Sequence, residues 1–295
     1  MRHKWPVLAA VIPVMFGWAL IAAYPAAAAA GVSGTSGVSG VSGVSGVSGW
    51  GLAQPGGQLG HGSAGSPQTR GGRTRGRKIV VTSSNWAGYA ETGASGDFTN
   101  VTSSWVQPAG HCGSGNQHAA FWVGLDGYSS RTVEQIGSEV DCAGQYAEYS
   151  AWYEIYPSPA VAFSNKVQAG DQLAASVSYE GSSKFQLTIT DSTQHWTRSA
   201  TKSLARAARS SAEVIAEAPC CTLKGGVLPL TNFGTASFSD ATVNNANLCT
   251  PTPTEIAMPD TSVSSLSSCQ NFTVSYTGSG SGYRLRPVRA KHGGS

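Results

Sequence analysis

Glu213 and Glu217 stand four residues apart in Ser210-Ser211-Ala212-Glu213-Val214-Ile215-Ala216-Glu217-Ala218-Pro219, an otherwise small and apolar stretch. In a strand, positions i and i+4 share a face, so both carboxylates and Ile215 point one way while Ala212, Val214 and Ala216 point the other. A carboxylate among apolar neighbours loses solvation in its charged form. Its pKa rises, which suits it to take up and return a proton in acid. Geometry alone does not choose between the two. Glu217 lies two residues before Pro219, where the strand is expected to end and water to come closer, and this favours Glu213 as the buried base.

A second set of residues with chemistry in them lies upstream. Phe121-Trp122-Val123-Gly124-Leu125-Asp126-Gly127 reads as a strand running into a turn, and nine residues after Asp126 comes Gln135, in Val133-Glu134-Gln135-Ile136-Gly137. Tyr149-Ser150-Ala151-Trp152-Tyr153-Glu154-Ile155-Tyr156-Pro157 then packs four aromatics and a carboxylate into nine residues. Aromatic surface with a few polar groups suits an extended polymer, peptide or glycan. Other hydrolytic machinery is missing: there is no Gly-x-Ser-x-Gly elbow, no His-Glu-x-x-His and no Asp-Thr/Ser-Gly. His111, His118 and His195 are the histidines in the body of the chain, and they read as loop or strand residues.

The elements that must position these groups are short strands. Leu173, Ala175, Val177 and Tyr179 alternate with polar residues, turn through Gly181-Ser182-Ser183, and return as alternating Phe185, Leu187 and Ile189, a hairpin. Similar runs occupy Val101–Val106, Ala119–Leu125, Tyr149–Tyr156, Ala236–Ser239 and Phe272–Tyr276. Thr201–Ala208, rich in Ala, Leu and Arg, is the exception, and its propensity predicts a short helical turn. About 200 residues of short strands and Gly/Ser turns predict one substantial core in a sandwich or barrel.

Around that body the chain changes character. Residues 1–30 combine a basic start, an apolar run from Trp5 to Tyr24 and an alanine tract, the pattern of a secretory signal peptide. Residues 31–78 are a Gly/Ser-rich linker or propeptide ending in Arg70, Arg73, Arg75, Arg77 and Lys78, disordered by composition. The folded domain is expected over 79–280, followed by a basic tail, 281–295. Of the 19 basic residues, 11 lie before position 79 or after 283, whereas all 16 acidic ones lie between, so the body carries a net −8 although the whole chain is +3. An acidic body excludes the basic footprint of a nucleic-acid-binding domain. Six cysteines behind a signal peptide imply disulfides in an oxidising compartment. Fifteen connectivities are open. The expected pairs are Cys112–Cys142 and Cys249–Cys269, with Cys220 and Cys221 either a vicinal pair or two thiols. No Cys-x-x-Cys spacing supports a zinc site.

Taken together, Asn85-Trp86-Ala87-Gly88-Tyr89, Ser104-Trp105-Val106, Trp122-Val123-Gly124-Leu125-Asp126-Gly127, Gln135-Ile136-Gly137, Ala151-Trp152-Tyr153-Glu154-Ile155-Tyr156-Pro157 and Ala212-Glu213-Val214-Ile215-Ala216-Glu217 resemble, in order, the motifs of the glutamic peptidases, or eqolisins. Asn232–Phe238 and Phe272–Tyr276 resemble that family's closing strands. The likeness spans roughly 84–277. It implies an all-β sandwich of two large antiparallel sheets, concanavalin-like or jelly-roll in type, and an acid endopeptidase with a Gln/Glu dyad. The family glutamine falls on Gln135 and the glutamate on Glu213; Trp86, Trp122, Asp126 and Glu154 fall on residues around the active site that bind substrate. Val214 stands where the family usually has Trp and Ser150 where the fungal enzymes have Asp, and the Asp126–Gln135 spacing is one residue short. These departures bear on subsite preference and pKa tuning, not on reaction class.

The chemistry stands on its own terms as well. Glu213 can take a proton from water as it attacks a scissile carbonyl and pass it to the leaving amine, while the Gln135 amide donates to the developing oxyanion. No metal or organic cofactor is needed. The expectation is a secreted, extracellular monomer acting on proteins and peptides, with no nucleic-acid partner and no membrane once the signal is removed. The alternative is a non-catalytic sandwich that binds glycan or peptide through an aromatic groove.

Overall fold

The computed structural model describes residues 79–219, 227–249 and 252–278. The expected signal peptide, the linker 31–78, Cys220, Cys221 and the tail 281–295 lie outside the described residues. Within them are sixteen strands and no helix.

Eight strands form the first sheet. In spatial order they are β1 (Ile79–Thr82), β14 (Thr254–Ala257), β2 (Trp86–Thr92), β11 (Ser211–Glu217), β4 (Asn116–Leu125), β5 (Val133–Ala143), β6 (Tyr146–Tyr156) and β7 (Val161–Ala162). β1 and β14 run parallel and the other neighbours antiparallel. The second sheet runs β10 (Trp196–Ser203), β9 (Lys184–Asp191), β8 (Gln172–Gly181), β3 (Asn100–Val106), β12 (Thr235–Val243), β16 (Phe272–Tyr276) and β15 (Thr261–Val263), with β13 (Ala246–Asn247) paired to β12. All of these pair antiparallel. This is the all-β sandwich expected from the sequence.

Alternation decides which side chains meet between the sheets. Leu173, Val177, Phe185, Leu187 and Ile189 of the second sheet join Tyr89, Phe121, Val123, Ile136 and Val214 of the first in one buried cluster. The outer face of the second sheet is polar, as period-2 strands with one face in water should be. The first sheet differs, because its far face carries a second apolar cluster of Trp86, Ala90, Ala120, Trp122, Trp152, Ile215 and Ile256. Hence every residue of β11 is buried, on whichever face it points.

The expected hairpin is β8–β9, turned by Ser182 and Ser183 at φ 50° and 60°, the left-handed pair of a two-residue turn that matches strand twist. The disulfides Cys112–Cys142 and Cys249–Cys269 are both present, spanning 30 and 20 residues. The helical turn expected over Thr201–Ala208 is absent. Thr201–Ser203 instead ends β10, in register with Lys184–Gln186 of β9, and the chain then turns through Arg206 at φ 71°. A stretch this short cannot sustain a helix by propensity, and a ready-made strand edge offers its backbone partners at once.

Candidate active site

Strand register sets one row of residues across the far face of the first sheet. Thr254 pairs with Ala90, Ala90 with Glu213, Glu213 with Gly124, Gly124 with Gln135, and Gln135 with Glu154. Strands sit about 4.8 Å apart, so the Glu213 and Gln135 backbones are about 10 Å apart across Gly124, and their side chains rise on either side of it. A Cβ on Gly124 would lie 2.9 Å from Trp122 Cζ3 and 3.2 Å from Gln135 Cβ, so a glycine is what lets the Trp122 ring and Gln135 come this close over β4. The next row along β11 is Ile256, Gly88, Ile215, Trp122, Gly137 and Trp152. It supplies the apolar floor.

Glu213 and Glu217 do share this face, and both are fully buried. The expected difference in exposure does not exist. Glu217 is covered because β11 is flanked on both sides, by β2 and β4, to its last residue. The two differ in bonding instead. Glu217 accepts from Asn85 Nδ2 at 3.0 Å and from Trp122 Nε1 at 2.7 Å. Neither oxygen of Glu213 has a hydrogen-bond partner within the protein. Burial pushes both carboxyls well above the usual carboxylate range. For Glu213 the nearby Ser211 hydroxyl offsets part of the rise, the charges of Asp126 and Glu134 add to it, and the Tyr128 backbone also works against it. For Glu217 the indoles of Trp122 and Trp86 and the Asn85 amide work against burial, and Glu154 works with it.

Gln135 Nε2 donates to Glu154 Oε2 at 2.6 Å, and Gln135 Oε1 has no partner. An amide nitrogen carries two hydrogens, so one is spent on Glu154 and the other is free to face the groove. Trp86 and Trp152 on the same face also have indole N–H groups without an acceptor. Orphaned buried polar atoms are uncommon in folded proteins, and those of Glu213, Gln135, Trp86 and Trp152 lie on this one face, with others elsewhere in the fold. Of the aromatics between Tyr149 and Pro157, Trp152 belongs to this face, whereas Tyr149 and Tyr153 pack against the core between the sheets. Alternation splits the aromatic run.

Asp126 is placed differently from its companions. Its backbone N–H donates to Ser211 O at 3.0 Å, and its carboxylate accepts from the amides of Arg209 at 2.7 Å and Ser210 at 3.0 Å. It therefore ties the start of β11, two residues before Glu213, to the turn after β4. Glu134, next to Gln135 but of opposite parity, faces the interior with neither oxygen bonded. Burial, then the charge of Asp126, push its pKa up to about 9, against a lowering by Arg209. Sequence reading passed over Asn85, Glu134 and Gly124 as site residues. The signal for Gly124 was its place in Trp122–Gly127, one strand away from both Glu213 and Gln135, which only register reveals.

Two comparisons bear on this arrangement. The family model for the peptidase A4 family matches residues 84–280. Scytalido-glutamic peptidase, crystallised with a peptide-based transition-state analogue, is 24% identical with a TM-score of 0.56, covering 65% of this chain and 98% of that one. SCP-B, a member of the eqolisin family in complex with the tripeptide Ala-Ile-His, is 23% identical with a TM-score of 0.54, again covering 65% and 98%. At these identities the likeness shows the fold. No curated protein matches the chain.

Proposed function

The chain belongs to the peptidase A4 family, the eqolisins, and is a glutamic-type endopeptidase; we propose that it is secreted and cuts proteins in acid with Glu213 as base and Gln135 as oxyanion donor. The observation that carries this reading is the row Glu213, Gly124, Gln135 and Glu154 on one buried face, with the Gln135 amide nitrogen spending one of its two hydrogens on Glu154.

In the closed site Glu213 holds a proton, because burial disfavours its charge. Entry of a peptide and a water molecule brings hydrogen bonds to the carboxylate and favours its ionised form, its proton passing to solvent as the substrate enters. Ionised Glu213 takes a proton from the water as the water oxygen attacks the carbonyl carbon. The carbonyl oxygen becomes the oxyanion, and the second Nε2 hydrogen of Gln135 donates to it. Glu213 then hands its proton to the amine as the C–N bond breaks, which restores the carboxylate. Glu154 fixes the Gln135 amide by accepting its first hydrogen. Gln135 is neutral, so no second carboxylate competes for the proton as in an aspartic dyad.

Secretion is supported by two disulfides, which persist in oxidising compartments. Trp86 and Trp122 meet edge to face at 5.0 Å and, with Glu154, form the surface on which a peptide would lie. Asp126 serves the site by holding β11. The test is digestion of an unfolded protein from pH 2 to 7, with and without pepstatin and a chelator. Cleavage on the acid side, insensitive to both, is expected. Loss of proteolysis with chelator would sink the dyad mechanism.

A further inference from the structure

Glu213 has a residue with almost no side chain on each side of it in the row, Gly124 toward Gln135 and Ala90 toward Thr254. Each leaves a bay in the floor. The bay over Gly124 lies between the two members of the dyad and suits the reacting carbonyl. The bay over Ala90 lies on the other side of Glu213, two strand spacings or about 10 Å away, where only a large side chain next to that carbonyl would extend.

Tyr128 stands at this second bay. The chain leaves β4 by two left-handed steps, Asp126 at φ 68° and Gly127 at φ 104°, which fold the loop back over the sheet. A Cβ on Gly127 would come 2.9 Å from Trp86 Cη2, so a glycine is what lets the loop come this close. The half-buried Tyr128 ring packs on the cluster that contains Trp86, Ala90 and Ile215. Its hydroxyl faces the Thr254 side chain, and the ring is near enough to Glu213 to feel its charge. The loop is braced rather than loose. Gly127 N–H donates to Ser130 Oγ at 2.9 Å, Ser130 Oγ donates to Thr132 O at 3.0 Å, and Asp126 is tied to β11.

We propose that Tyr128 is a specificity-determining residue: its ring fills the bay over Ala90, so the substrate residue beside the scissile bond on that side must be small. The proposal rests on Glu213 and Gln135 being the dyad. A braced ring acts as a wall and discriminates by volume, and a single methylene in an apolar pocket already discriminates by about 10- to 200-fold.

The experiment compares the full chain with its Tyr128→Ala and Tyr128→Phe variants on a peptide mixture at acid pH, with products identified by mass spectrometry. The readout is the ratio of kcat/KM for Phe over Ala at each position flanking the cut. Tyr128→Ala should raise that ratio at least tenfold at one position and leave the other unchanged, while Tyr128→Phe keeps the wild-type ratio. Tyr128→Leu serves the same test should the alanine variant fail to fold, with a smaller shift expected. An unchanged ratio in Tyr128→Ala, or an equal shift in Tyr128→Phe, overturns the proposal. If the wild type cleaves nothing, the dyad reading has failed, and the bay is tested by titrating the same peptides against tryptophan fluorescence. Tighter binding of the Phe peptide to Tyr128→Ala than to wild type then sustains the wall, and equal affinities overturn it.

Discussion

At the scale of single residues, Glu213 and Glu217 look alike in sequence and in burial, and their bonding separates them. A glutamate whose oxygens already accept from Asn85 and Trp122 is occupied with holding two strands together. One whose oxygens are both unbonded is free for a substrate. Glu213→Gln should therefore abolish turnover while leaving the melting temperature and peptide binding nearly unchanged. Gln135→Ala should lower kcat by about 10² to 10³, the usual loss for an oxyanion donor. Glu217→Gln has a single acceptor oxygen for two donors, so it should cost about 1–3 kcal/mol of stability yet keep measurable activity. Steady-state kinetics and thermal melts on the three variants decide the assignment. A dead Glu217→Gln beside an active Glu213→Gln would move the base to Glu217.

At the scale of elements, two glycines in neighbouring strands do different jobs, and their variants should fail in different ways. A Cβ on Gly137 would sit 2.2 Å from Phe121 O and 2.6 Å from Trp122 Cβ, inside the β4–β5 ladder itself. Gly137→Ala should prevent folding or lower the melting temperature steeply, because the backbone has to move. A Cβ on Gly124 would meet the Trp122 ring edge and the Gln135 side chain instead. Gly124→Ala should fold but lose most of its kcat/KM, since the methyl enters the gap between Glu213 and Gln135. Circular dichroism alongside kinetics separates the two outcomes, and a fully active Gly124→Ala would show that this gap is not where chemistry happens. The β10 segment carries the opposite lesson. The composition of Thr201–Ala208 favours helix, yet its first three residues pair with β9 and the rest form a turn and loop.

At the scale of the whole molecule, the buried acids make the fold itself pH-dependent. Burial lifts Glu91 to about 7 and Glu134 to about 9, and lifts Glu213 and Glu217 as well. A pKa raised in the folded state means the folded state binds protons more tightly than the unfolded chain. The resulting stability is full below the unfolded glutamate value of about 4.3, declines as pH rises from there, and is lost once pH passes the folded values. The melting temperature should thus be highest in acid and fall between about pH 5 and 9, with Glu134→Gln flattening the fall. A melting temperature that climbs from pH 4 to 8 would contradict this. The same decline would close the alkaline side of the activity profile. What the sequence determined by itself was local and periodic: the strands, the β8–β9 hairpin, the faces of β11, and the motif order that singled out Gln135 and Glu213. Period-2 alternation says which residues of one strand share a face, and it says nothing about which strand lies alongside. The placing of β11 between β2 and β4 brings together segments more than eighty residues apart in the chain, and it buries Glu217 and sets Gly124 between Glu213 and Gln135. Those outcomes follow from long-range pairing and register, which only the tertiary structure decided.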